Sequence, residues 1–163
     1  MLRDRNLIPL SRQHQHALAL CVRIERALPE GSVDLNGWQR EIEQHYAQEI
    51  RFHFEAEEKL LFPAAGQFAE LKPLVEDLRG EHRRLREIFG RAGKRKLNES
   101  ALREFATLLS GHIRKEERQL FEALQKRMGV EDLNSLGEKL TRALEGAGGS
   151  CILPQSRMPS KPG

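Results

Sequence analysis

A chain of 163 residues is long enough to bury one core and too short for two comfortable ones. Its 27 basic and 24 acidic residues are interspersed along every segment and it has only two cysteines, which excludes a disulfide scaffold and leaves no basic stripe for nucleic acid. Leu, Ala, Glu, Arg and Lys dominate, aromatics make up only 6% and β-branched runs are missing, so the expected class is all-α.

The N-terminus, Met1 to Leu10, carries charges without an apolar stretch, and the longest apolar run is Ala17 to Val22. Neither a signal peptide nor a membrane span is expected, and the cytoplasm is the expected address. From Leu10 the residues His14, Ala17, Cys21, Ile24 and Leu28 recur at steps of four and three, the inward seam of a first helix that Pro29 and Gly31 end. His14 lies on that seam, whereas His16 points about 200° away around the helix.

Asp34 or Asn36 can cap a second helix whose inner stripe is Ile42, Tyr46, Ile50, His53, Glu57 and Leu60, with Pro63 expected to stop it. Pro73 suits the first turn of a third helix with Leu74 or Val75, Leu78, His82, Leu85 and Phe89 inward. Gly90, Gly93 and the run Lys94 to Lys96 read as a break and a basic turn. Asn98 or Ser100 can cap a fourth helix carrying Leu102, Phe105, Leu109, His112, Glu116 and Leu120 inward as far as about Arg127. Val130 to Glu145, with Leu133, Leu136, Leu140 and Leu144, forms a shorter amphipathic fifth helix. The expected architecture is an up-down-up-down four-helix bundle over 1–145, with that short C-terminal fifth helix and a disordered, flexible tail over 146–163.

One pattern occurs twice along this scaffold. His53, Glu57, Glu58, Leu61 and Phe62 follow H-x3-E-E-x2-L-F, and His112, Glu116, Glu117, Leu120 and Phe121 repeat it. Helical positions four apart are surface neighbours, so each copy sets an imidazole and a carboxylate one above the other. Each of the four long helices also brings one histidine to its inner stripe: His14, His53, His82 and His112. Folded as two related hairpins, they converge four imidazoles and two carboxylates on the core.

Such groups cost about 1 to 3 kcal/mol each if buried without partners, and an unpaired charge far more. A pair of cations compensates for them. Imidazole with carboxylate suits iron, manganese or zinc, and the lack of cysteine in the cluster argues against thiolate zinc or iron–sulfur sites. Glu57 and Glu116 are placed to bridge two ions. The plainer alternatives are core histidines with ordinary hydrogen bonds and His–Glu pairs internal to one helix. His16 and His45 read as surface or outer-sphere residues, as do Glu58 and Glu117, while Glu49 is a possible extra ligand. Tyr46 reads as core filling and Cys21 as a small buried apolar residue, and nothing near Cys151 lowers its pKa.

His14, the run HFEAEE at His53 to Glu58 before LLFP, EH at Glu81 and His82, and HIRKEE at His112 to Glu117 together resemble the hemerythrin-like, HHE cation-binding family over about residues 8 to 128. The resemblance implies a non-haem di-iron centre inside a four-helix bundle, with His14, His53, Glu57, His82, His112 and Glu116 as ligands to two iron ions. Family members bind oxygen, sense oxygen or iron, handle nitric oxide or peroxide, or store iron. The oxygen-carrying members are expected to offer a second third-helix histidine where this chain has Leu78, and an Asp five after the fourth-helix histidine where it has Glu117. One metal is therefore expected to lack an imidazole, with water, Glu49 or Glu81 in its place.

The resulting expectation is a non-catalytic di-iron protein that binds a small ligand such as oxygen, or senses redox state or iron. The ligand is expected in an apolar pocket between Leu78, Phe105 and Leu109. The alternative is a di-iron enzyme acting on peroxide, oxygen or nitric oxide. A third reading is a metal-free helical adaptor, in which replacing His53 and His112 with Leu raises stability and changes nothing else. The ferritin-like class needs Glu three residues before a histidine, and no histidine here has one. No motif points to a protein partner.

Overall fold

The structure, a computed structural model, describes residues 1–31 and 33–146. The segment 147–163, most of the expected flexible tail with Cys151, lies outside the described residues. Four long helices and a shorter fifth account for nearly all of the rest, and there is no strand among the described residues.

The first helix is Ile8–Ala27, with Pro9 in its first turn, where a missing N–H has no partner to lose. A 3-10 turn at Leu28–Glu30 and Gly31, at φ 80° in the left-handed region that glycine adopts without strain, end it. The second helix starts where the Asp34 carboxylate accepts from the Gly37 N–H at 2.9 Å. It runs as one rod through Leu35–His45, Arg51–Ala56 and Phe62–Gly66, joined by wider π turns at Tyr46–Ile50 and Glu57–Leu61. Pro63 therefore does not stop this helix. The Glu57–Leu61 turn pairs the Phe62 N–H with the Glu57 carbonyl, five residues back, and this widened turn accommodates the proline ring that follows.

The third helix is Lys72–Gly93 and passes through Gly90 without the break expected there. A tight turn with Arg95 at φ 57° leads to the fourth helix. The Asn98 side chain caps it by accepting from Ala101 N–H at 2.8 Å, and it continues through Glu99–Lys115, a π turn at Glu116–Leu120 and Phe121–Arg127. The fifth helix is Val130–Glu145, with Leu133, Leu136, Leu140 and Leu144 buried as their spacing requires.

The first helix packs on the fourth and the second on the third, the third also touches the fourth, and the fifth lies across the second. Their apolar faces form two clusters. Ala17, Cys21, Ile50, Leu85, Phe89, Phe105 and Leu109 belong to one, and Leu10, Leu61, Phe62, Leu78, Leu120 and Phe121 to the other. Fully burying each Leu or Phe contributes about 1.5–3 kcal/mol, which secures both ends of the bundle. The polar residues of the inner stripes lie between the two clusters. No helix among the described residues is long and apolar enough to cross a membrane.

Candidate metal centre

The structure brings all six predicted side chains together. His14, His53, Glu57, His82, His112 and Glu116 are at most 5% exposed, and Glu57, His82 and Glu116 are fully buried. The Nε2 atoms of His14 and His53 lie 3.0 Å apart, and those of His82 and His112 lie 3.1 Å apart. Glu57 sits between the pairs, with Oε1 3.0 Å from His53 Nε2 and Oε2 3.3 Å from His82 Nε2. Glu116 mirrors it, with Oε2 3.1 Å from His14 Nε2 and Oε1 3.2 Å from His112 Nε2. Each glutamate thus spans both histidine pairs, one oxygen to each.

None of the four carboxylate oxygens accepts a hydrogen bond. Fully buried carboxylates in that condition are costly, so the donors fit a cation better than they fit each other. Two overlapping groups have ligand atoms within 4.8 Å of one another: His14, His53, Glu57 and Glu116, and Glu57, His82, His112 and Glu116. Donor atoms about 3 Å apart are the spacing of neighbouring ligands held at about 2.1 Å from one ion. Two nitrogens and two oxygens per group suit iron, manganese or zinc.

An outer ring fixes the imidazoles through their other nitrogens. Nδ1 of His14 meets Glu117 at 2.7 Å, Nδ1 of His82 meets Glu58 at 2.8 Å, and Nδ1 of His112 meets Glu81 at 2.8 Å. Nδ1 of His53 donates instead to the side-chain carbonyl of Gln13, at 2.8 Å. With Nδ1 engaged, Nε2 of each ring is presented to the centre. Each outer carboxylate has its own cation: Arg3 on Glu117 at 2.7 Å, Arg86 on Glu58 at 2.6 Å and Lys115 on Glu81 at 2.6 Å. The repeated phenylalanines also find a role. Phe62 packs against His82 with ring centres 5.2 Å apart, and Phe121 stacks on His14 at 5.5 Å.

The local backbone contributes as well. Two of the three π turns among the described residues start at Glu57 and Glu116, so the helix widens where each inward carboxylate leaves it. Charge follows from this crowding. Burial disfavours charged His14, yet Glu116, Glu117 and Glu57 outweigh it and hold the imidazole well above its ordinary value. His112 is likewise pushed up to about 10, against burial, by Glu116, Glu81 and Glu57. Burial alone would raise Glu57, but His53, His14 and His82 bring it well below the usual carboxylate range. Glu116 also ends lowered, although burial and the facing Glu57 push it up, because His112 and His14 prevail. Without a cation, protons on imidazole supply the positive charge these carboxylates need.

Several secondary expectations are corrected. Leu78 leaves the third helix one inward histidine, as its sequence implies, and the imidazoles divide two and two between the groups. Glu81 reaches His112 Nδ1 instead of the centre, and Glu49 turns to His16 at 3.0 Å and His45 at 3.9 Å. The pocket expected between Leu78, Phe105 and Leu109 does not exist as one place, because Leu78 belongs to the opposite cluster from the other two. A cavity of about 10 Å³ instead adjoins the centre, walled by Gln13, His14, Glu49, His53, Phe54, Leu109, His112 and Ile113 among others. Tyr46 stacks on Phe89 with centres 4.4 Å apart, and Cys21 is buried with its thiol pushed up to about 12, chiefly by burial. Gln13 was missed; the available signal was that it precedes His14 as Glu81 precedes His82.

The family model described as Hemerythrin HHE cation binding domain matches residues 9–124, a span that holds all six inward side chains. No curated protein and no solved structure matches the chain.

Proposed function

The chain belongs to the hemerythrin HHE cation-binding family, and we propose that it holds two iron ions between Glu57 and Glu116 and uses them to bind a small ligand such as oxygen, or to sense redox or iron state. His14 and His53 complete one position, His82 and His112 the other. The observation that carries this reading is the pair of fully buried carboxylates whose four oxygens lack hydrogen-bond donors and face four imidazole Nε2 atoms. Bound iron would supply reversible electron exchange and affinity for small molecules.

The chain's own residues do the rest. Glu117, Gln13, Glu58 and Glu81 orient the rings through Nδ1. Phe54, Leu109 and Ile113 line the adjoining cavity and limit it to about 10 Å³, enough for one molecule of water size. Four protein donors in each group would leave a bound cation room for exchangeable ligands. That count also favours a second reading, a di-iron enzyme acting on peroxide, oxygen or nitric oxide.

The test is metal content together with the visible spectrum before and after oxygen exposure. Two irons per chain and a chromophore that bleaches and returns support reversible binding. Repeated turnover of peroxide or nitric oxide supports the enzyme. Protein from iron-replete cells that carries no iron removes both readings.

A further inference from the structure

The centre is close to two-fold symmetric in its inner ligands and breaks that symmetry at one outer position. His112 Nδ1 meets the Glu81 carboxylate at 2.8 Å, whereas His53 Nδ1 meets the neutral amide of Gln13 at the same 2.8 Å. The two acceptors occupy equivalent places, since each is the residue immediately before the histidine of the neighbouring helix, His82 or His14. The other two rings do not differ in this way, because Glu117 holds His14 and Glu58 holds His82. One pair of imidazoles is therefore backed by two carboxylates and the other by one.

A carboxylate acceptor makes a hydrogen bond about twice as strong as a neutral one and makes the ring a better metal donor. A second asymmetry points the same way. Gln13, His14 and His53 line the small cavity together with His112, whereas His82 does not reach it. The pair with the weaker backing thus has both of its rings on the cavity, and the other pair only one.

We propose that the two cation positions are unequal: the His82–His112 position fills first and holds its ion more tightly, and the His14–His53 position, set apart by Gln13, is the exchangeable one facing the cavity. This rests on the two-ion reading above. Outer-ring changes of this kind alter metal affinity about 10–100-fold. Gln13 acts here as a positioning residue that discriminates between the sites.

Zinc is a suitable probe, being diamagnetic and accepted by the same donors. Metal-free full-length protein carrying 15N-labelled histidine is titrated with zinc and followed by NMR. At one equivalent the His82 and His112 ring signals shift, and those of His14 and His53 follow with the second, at an affinity about 10–100-fold lower. In Gln13→Glu the two steps draw together, and in Glu81→Gln they do so by weakening the tighter one. Four rings that shift together in the unaltered protein overturn the proposal, as does His14 and His53 filling first. A step separation unchanged in a folded Gln13→Glu protein also overturns it. Saturation at one zinc per chain defeats instead the two-ion reading.

Discussion

The Nε2 atom of His82 lies 3.1 Å from that of His112 on the neighbouring helix. Two imidazoles set edge to edge cannot both present lone pairs at that distance without repulsion, so a proton or a cation must stand between them. The His14–His53 pair repeats the arrangement at 3.0 Å. Protons and cations therefore compete for one set of atoms.

That competition fixes the pH dependence. His112 rises from 6.5 to about 10 in the folded, metal-free protein, so its contribution is fully present below about pH 6.5 and is lost as pH climbs through about 10. Glu57 and Glu116 are lowered from 4.5, so theirs is present above about pH 4.5 and lost as pH falls through their folded values. The metal-free protein should lose melting temperature between pH 6.5 and 10. The gain on adding zinc or iron(II) should grow over the same interval, since fewer protons need displacing. Calorimetry with and without metal measures both; a metal-induced gain independent of pH contradicts the competition.

Glu57→Gln retains the shape of the side chain but removes its charge and one metal-binding oxygen. Both positions share Glu57, so the loss should not be confined to one ion. Metal content should fall below one per chain while circular dichroism stays helical, and Glu116→Gln should behave alike. Two retained metals in either variant would remove the bridging role.

Glu58→Gln acts one layer out. Glu58 holds His82 Nδ1 at 2.8 Å and Arg86 at 2.6 Å, and its own pKa is lowered to about 2, against burial, by those two partners. Metal affinity should drop about 10–100-fold with helix content unchanged. A competition titration against a chelator reads this directly, and unchanged affinity would show that the outer ring only packs.

Gly137→Ala tests the fold away from the metals. A Cβ there would sit 2.5 Å from Asn6 Cβ and 2.6 Å from its Cγ, where the N-terminal segment closes on the fifth helix. Ala in a helix usually gains about 1 kcal/mol over Gly, but overpacking of this kind costs about 1–3 kcal/mol, so the net effect should be destabilising. Adding Asn6→Gly should restore the melting temperature despite the loss of the Asn6–Asn134 hydrogen bond.

The helix seams and the six inward residues were legible because each depends on spacing within a single helix. His53 and Glu57 are neighbours on any helical wheel, and Asp34 and Asn98 cap as their side-chain chemistry requires. What depends on two helices at once was not legible. Leu78 and Leu109 both precede their histidine, but the third and fourth helices run in opposite directions, so the two leucines fall at opposite ends of the bundle. Gln13 and Glu81 turn sideways to a ring on a neighbouring helix, which no single wheel displays. The passage through Pro63 depends on a π turn, and a search at 3.6 residues per turn has no place for one.

Anomalous diffraction at the iron edge from crystals of the iron-loaded full-length protein addresses the centre most directly. The account predicts two peaks per chain, about 3.5–4 Å apart, one beside His14 and His53, the other beside His82 and His112, with Glu57 and Glu116 spanning both. A single peak, peaks elsewhere on the chain, or none in protein prepared with excess iron would contradict it.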